Sequence, residues 1–191
     1  MATEISNLLS AAAPRAVAAV RGVSDDQLDL PTPCSEYAVR DLLNHLYDVV
    51  VNFQALAGKR QPEWTEKPDH LAEGWRDRFE AEAAKLVEAW SDPAALDGVS
   101  PGMGLPQETV GTMVLLDLTV HAWDLAVATG QPYRPAPEVL PPLYALCEQM
   151  GPAAREQGVF AEPVGTSSSD APEMDRLLAL TGRDPGWSAG A

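Results

Sequence analysis

Apolar residues recur at helical spacing along almost the whole chain. Thr3 to Arg21 is rich in Ala and Leu, with Pro14 placed to kink it and Gly22 to end it. Ser24-Asp25-Asp26-Gln27 has the form of a capping box opening one short turn, and Pro31-Thr32-Pro33-Cys34 breaks the pattern. A second helix is predicted from about Ala38 to Ala57, because Leu42, Leu46, Val49, Phe53 and Leu56 fall three and four residues apart; Gly58 closes it. Lys59 to Pro68 reads as a polar loop holding Trp64. A third helix, from about Asp69 to Trp90, sets Leu71, Trp75, Phe79, Leu86 and Trp90 against a wet, charged face, and Ser91-Asp92-Pro93 stops it.

The fourth helix, about Gln107 to Thr129, is apolar nearly all round between Val110 and Ala128, which predicts burial on every side. Gly130 and Pro132 end it. A fifth helix follows Pro137 to about Met150, Gly151 to Pro172 is irregular, and a short helix over Met174 to Thr181 ends at Gly182. There is no internal repeat and no strand pattern. Four long helices predict an all-α fold, a four-helix bundle with additional short C-terminal helices. The length of 191 residues suits a single domain, residues 1–191, with a bundle core over about 3–130 and a C-terminal extension over about 131–191.

Charge narrows the partners. With 28 acidic against 13 basic residues, the net charge is −15, and such a surface repels phosphate backbones and anionic lipid headgroups. No nucleic acid and no membrane are therefore expected as partners. The two cysteines, Cys34 and Cys147, are too few for a disulfide scaffold. The N-terminus has no basic stretch or apolar run of the signal-peptide kind, and the longest apolar run, Val110 to Ala122, contains Asp117 and His121. The expected location is cytoplasmic. A homodimer is possible, but the pattern leaves open whether two chains pair through the apolar side of the first or fifth helix.

Only three histidines are present, and two sit on apolar faces. His45 shares the stripe of Leu42, Val49 and Phe53. His121 lies midway along the fourth helix, one turn after Asp117, so the two side chains project from one face. Burying a lone carboxylate costs several kcal/mol unless it is paired or coordinated. Asp117 and His121 can satisfy each other as a structural ion pair, with His45 a hydrogen-bonded core residue. Alternatively, two imidazoles and a carboxylate hold a divalent metal such as zinc.

Other residues have weaker claims. Asp124, three residues past His121, either accepts a hydrogen bond from a ligand imidazole or anchors a loop. Asp41 and Asp48 flank His45 and could do the same, although a solvated face suits them better. Cys34 precedes a helix whose N-terminus would lower its pKa, or it is a small buried residue in a turn. Trp123 and Tyr133 line a pocket or belong to the core. His70, opening a charged helix, reads as a solvated capping residue.

The segment Leu30-Pro31-Thr32-Pro33-Cys34-Ser35-Glu36-Tyr37-Ala38-Val39-Arg40-Asp41-Leu42-Leu43-Asn44-His45-Leu46 resembles the start of the metal-binding domain found in relatives of mycothiol-dependent maleylpyruvate isomerase, a branch of the DinB/YfiT-like superfamily of four-helix bundles. Asp117 to Gly130 is similar to that family's second signature, and Leu177 to Trp187 to the tail of its short members. The resemblance implies a DinB-like bundle and a metal on His45, Asp117 and His121. It also implies an open coordination position for a low-molecular-weight thiol such as mycothiol. Zinc is the leading metal, with nickel and iron as alternatives. The implied activity is that of a thiol-dependent S-transferase or related detoxifying enzyme whose partners are a small thiol and an electrophile. The isomerase has the longer Glu where this chain has Asp117, and a separate C-terminal domain where this chain has a short-member tail. Maleylpyruvate isomerisation itself is therefore not expected. The other function open to the same residues is a non-enzymatic metal-binding module, structural or ligand-sensing.

Overall fold

The computed structural model describes residues 2–64, 66, 69–165 and 171–189. Parts of the predicted polar loop (residues 65, 67 and 68) and of the predicted irregular stretch (residues 166–170) lie outside the described residues. The fold is all-helical, as the pattern predicts. Its helices are α1 (Glu4–Arg21), α2 (Val39–Ala57), α3 (Trp75–Ala89), α4 (Gln107–Ala128), α5 (Leu140–Glu156) and α6 (Glu173–Leu180). Among the described residues there is no strand, only isolated bridges such as Pro31 with Ala38.

Named contacts give the direction of each helix. Thr3 Oγ1 donates to the Trp90 carbonyl, and Arg21 pairs with Asp77 and Glu80, so α1 and α3 are antiparallel. Gln107 Nε2 donates to the Leu56 carbonyl at 2.9 Å, and the His45 and His121 rings meet, so α2 and α4 are antiparallel. Gln54 Nε2 reaches the Glu82 carbonyl at 3.1 Å, while His70 is tied to the start of α2, so α2 and α3 are parallel. Ile5 lies against Gly111, and Gln131 Nε2 donates to the Ala19 carbonyl, so α1 and α4 are parallel as well. The order is up, down, down, up. The C-termini of α1 and α4 and the N-terminus of α2 share one end of the bundle.

Two parallel neighbours need a long return, and α2 carries the residues that hold it. Asn44, Asp48 and Asn52, four apart and buried, form a polar stripe beside the apolar one. Asn52 exchanges two hydrogen bonds with the backbone of Glu63, at 2.7 and 3.2 Å. Asn44 Oδ1 accepts from the His70 backbone N–H at 2.6 Å. Asp48 Oδ1 lies 2.7 Å from His70 Nε2, and the His70 ring stacks on Tyr47. The reading of Asp48 and His70 as solvated is therefore wrong. Each is taken out of water by the other, a pairing that a hydropathy pattern does not register. The same clamp holds His70 on α2, and α3 begins only at Trp75, after the left-handed Gly74. Asp41 remains exposed and accepts from the Ala38 N–H at 3.0 Å, capping α2.

The predicted end of the fifth helix is also corrected. α5 continues through Gly151 and Pro152 to Glu156, its buried Leu143, Leu146, Cys147 and Gly151 keeping one face on the protein. Likewise α1 runs through Pro14 without a break. Among the described residues, helix α4 alone is long and apolar enough to cross a membrane by length and composition, but 72% of its most apolar window is buried inside the bundle. That burial is what a core helix needs.

Gly111 lets α4 pack closely against α1 and Trp90. A Cβ there would lie 2.9 Å from Ile5 Cγ2 and 3.0 Å from Trp90 Cζ3. Gly111→Val is therefore expected to destabilise the protein by about 1–3 kcal/mol through overpacking, outweighing the helix propensity it gains. Urea denaturation measures this as a lower midpoint at unchanged slope.

Candidate metal centre

His45 projects from the first half of α2 and Asp117 and His121 from successive turns of α4, toward the bundle end that also holds the 31–38 connection and the chain's tail. The two imidazole rings lie edge to face, 5.0 Å apart between centroids at 85°. His121 Nε2 is 3.7 Å from Asp117 Oδ1. One donor atom from each of the three residues lies within 4.8 Å of the other two. Donors at about 2 Å from a common ion sit roughly 3–4 Å from one another, so small side-chain rotations suffice to share one.

The surroundings leave these donors unspent. Neither His45 nor Asp117 has a side-chain hydrogen bond among the described residues. Burial pushes the His45 pKa down to about 3, with the neighbouring His121 and Arg183 adding to the shift, so its imidazole stays neutral and keeps a lone pair. Burial pushes the Asp117 carboxyl above its ordinary range, opposed by His121 and Arg183. A half-buried carboxylate without a hydrogen bond among the described residues, facing the neutral His45 imidazole and the Nε2 of His121, is an incomplete arrangement unless a cation joins it.

Asp124 is differently placed. It is fully buried, and its Oδ2 lies 2.9 Å from His121 Nδ1. Arg183 Nε donates to its Oδ1 at 2.9 Å and Nη2 to its Oδ2 at 2.8 Å. Burial alone would raise the Asp124 pKa, but the charge and hydrogen bonds of Arg183 and His121 win and hold it below the usual carboxylate range. Sequence reasoning placed Asp124 near the site and missed Arg183. The available signal was Asp124 itself: a second carboxylate in an apolar helix needs more donors than one histidine offers.

Cys34 sits on the 31–38 connection, where Thr32 Oγ1 donates to the carbonyls of Cys34 (3.0 Å) and Tyr37 (2.8 Å). Tyr37 stacks on His45. Cys34 also lies within 4.8 Å of donor atoms of His121 and Asp124. That second trio is a poorer cation site, because both oxygens of Asp124 are committed to Arg183. Burial pushes the Cys34 thiol up, with only a partial pull downward from Arg183, which fits the reading of Cys34 as a small, partly buried residue in a turn rather than a thiol activated by a helix N-terminus. Trp123 and Tyr133 are half-buried and packed on the core, and neither joins the cluster.

Residues 9–126 match the family described as the mycothiol maleylpyruvate isomerase N-terminal domain. The chain is also similar to two uncharacterized proteins of Mycobacterium tuberculosis, MT0763 and Rv0738, from different strains. It is 34% identical to each over 173 residues, covering 87% of this chain and 90% of the relative. No solved structure matches the chain.

The depressed pKa of His45 has a measurable sign. Between about 3 and the ordinary 6.5, the unfolded chain binds a proton at this residue that the folded protein refuses, so the stability His45 contributes is lost as pH falls through that window. In the metal-free protein, NMR should find the His45 ring neutral at pH 5. A protonated ring at that pH would contradict the buried position.

Proposed function

This chain belongs to the mycothiol maleylpyruvate isomerase N-terminal domain family, and we propose that it holds one divalent metal ion on His45, Asp117 and His121 and uses it to activate a small thiol of the mycothiol class for transfer to an electrophile. The observation that carries the reading is the convergence of three donor side chains between α2 and α4, of which His45 and Asp117 have no side-chain hydrogen bond among the described residues. Their chemistry fits the group. The neutral His45 imidazole and the Nε2 of His121 would each offer a lone pair, and Asp117 the negative charge. Two nitrogens and one oxygen suit zinc best, and nickel or iron next. When bound, the ion would supply a Lewis acid that deprotonates a coordinated thiol at neutral pH.

The residues of the chain do the rest. Three protein ligands leave a position open for the thiol, as in catalytic rather than structural zinc sites. Asp124 accepts from His121 Nδ1 and so orients its ring. Tyr37, stacked on His45, restrains the other ring. Asp117 is shorter by one methylene than the Glu of the isomerase, so it would hold the ion with less reach. The partners in this reading are small molecules, a thiol and an electrophile, met in the cytoplasm. Maleylpyruvate isomerisation is not part of it.

Elemental analysis tests the centre. Protein purified without added metal should carry one equivalent of a divalent ion, and His45→Ala, Asp117→Ala and His121→Ala should each carry none. Full occupancy in His121→Ala would refute the assignment. Because the four long helices bury a wide apolar core, chelation should leave the circular dichroism of the helices intact and lower Tm only moderately. Mycothiol titration and conjugation to a reactive electrophile, with and without the ion, then separate an enzyme from a metal-binding module that does not turn over.

A further inference from the structure

We propose that Arg183 is a positioning residue of this centre, acting through Asp124 to hold His121 in the tautomer whose Nε2 lone pair faces Asp117 and His45. The inference rests on the metal reading above and adds to it a residue beyond residue 126, where the family match ends.

A guanidinium has only donors. Arg183 spends Nε on Asp124 Oδ1 at 2.9 Å and Nη2 on Oδ2 at 2.8 Å, a two-point grip on a fully buried carboxylate. Asp124, clasped by a cation on both oxygens, meets His121 as an acceptor. The 2.9 Å contact between Asp124 Oδ2 and His121 Nδ1 is then an N–H donation from the ring. A neutral imidazole carries one N–H, so with the hydrogen on Nδ1 the lone pair is on Nε2. That is the nitrogen 3.7 Å from Asp117 Oδ1. The opposite tautomer would aim an N–H at the place where three donors converge, and no ion could bind there. Arg183 Nη2, which has a second N–H, also lies 3.4 Å from His121 Nδ1, but the Asp124 oxygen at 2.9 Å is the nearer partner of that nitrogen, and a bare Nδ1 there would set its lone pair against a carboxylate.

The fold delivers Arg183 to this point by a helix stop. At the end of α6 the chain turns through Gly182 at φ +80°, with Gly182 N–H donating to the Ala179 carbonyl and Arg183 N–H to the Leu178 carbonyl at 2.9 Å. Thr181 is buried and its hydroxyl donates to Leu178. Leu177 and Leu178 are fully buried and fix α6 to the core. A Cβ on residue 182 would lie 2.6 Å from that of Ala161, so the turn is closed to other residues. The side chain that follows is only 10% exposed.

Nitrogen-15 NMR of histidine-labelled, metal-free protein tests this directly. Wild-type His121 should show the Nδ1–H tautomer. In Arg183→Met the tautomer should shift toward Nε2–H, and zinc affinity should fall at least about 10-fold. Arg183→Lys, which keeps the charge and loses the two-point grip, should lie between. If Arg183→Met loses its helical circular dichroism, Arg183→Gln is read in its place. An Nε2–H tautomer in the wild type overturns the proposal, as does an unchanged tautomer with unchanged zinc affinity in the variant. A wild type with the Nδ1–H tautomer that takes up no zinc overturns the metal reading instead, so the two failures are distinguishable.

Discussion

Helix α4 carries Asp117, His121 and Asp124 through the interior of an apolar bundle, and the need to satisfy those three side chains organises the structure around them. An unpaired charge in such a place would cost several kcal/mol. One edge of His121 is answered by Asp124 and, behind it, by the buried guanidinium of Arg183. The other edge faces Asp117 and His45. The two halves differ in kind. The Asp124 half is complete in the protein alone, a carboxylate held by a cation and an imidazole. The Asp117 half has only a 3.7 Å contact and a neutral neighbour. That asymmetry is the physical basis for reading one side as support and the other as a centre that takes an ion.

The helix order makes the support possible. Because α1 and α4 run in one direction and α2 and α3 in the other, one bundle end collects the first half of α2, the last half of α4 and the 31–38 connection. The same arrangement obliges the α2–α3 connection to run back along α2, where Asn44, Asp48 and Asn52 bind it. Three polar residues are thus buried by a requirement of topology rather than of chemistry. His70 belongs with them, and its pairing with Asp48 is a clamp on the connection.

By itself the sequence determined the number and type of the long helices, since an apolar period near 3.6 survives any tertiary arrangement that buries one face. It also determined the pairing of Asp117 with His121, because residues four apart on a helix share a face whatever the helix packs against. The addition of His45 needed only the observation that an imidazole sat in a core stripe.

The tertiary structure alone decided what lies across from each of them. Nothing local links Arg183 to Asp124, fifty-nine residues earlier, or His70 to Asp48. Each is a polar residue in a segment that reads as exposed, and each is buried because a distant partner offsets its desolvation. The start of α3 at Trp75 and the continuation of α5 past Pro152 have the same origin, in contacts that outweigh local propensity. Spacing along a helix fixes which side chains point together, whereas the burial of a charge depends on a partner that only the packing of the helices can bring.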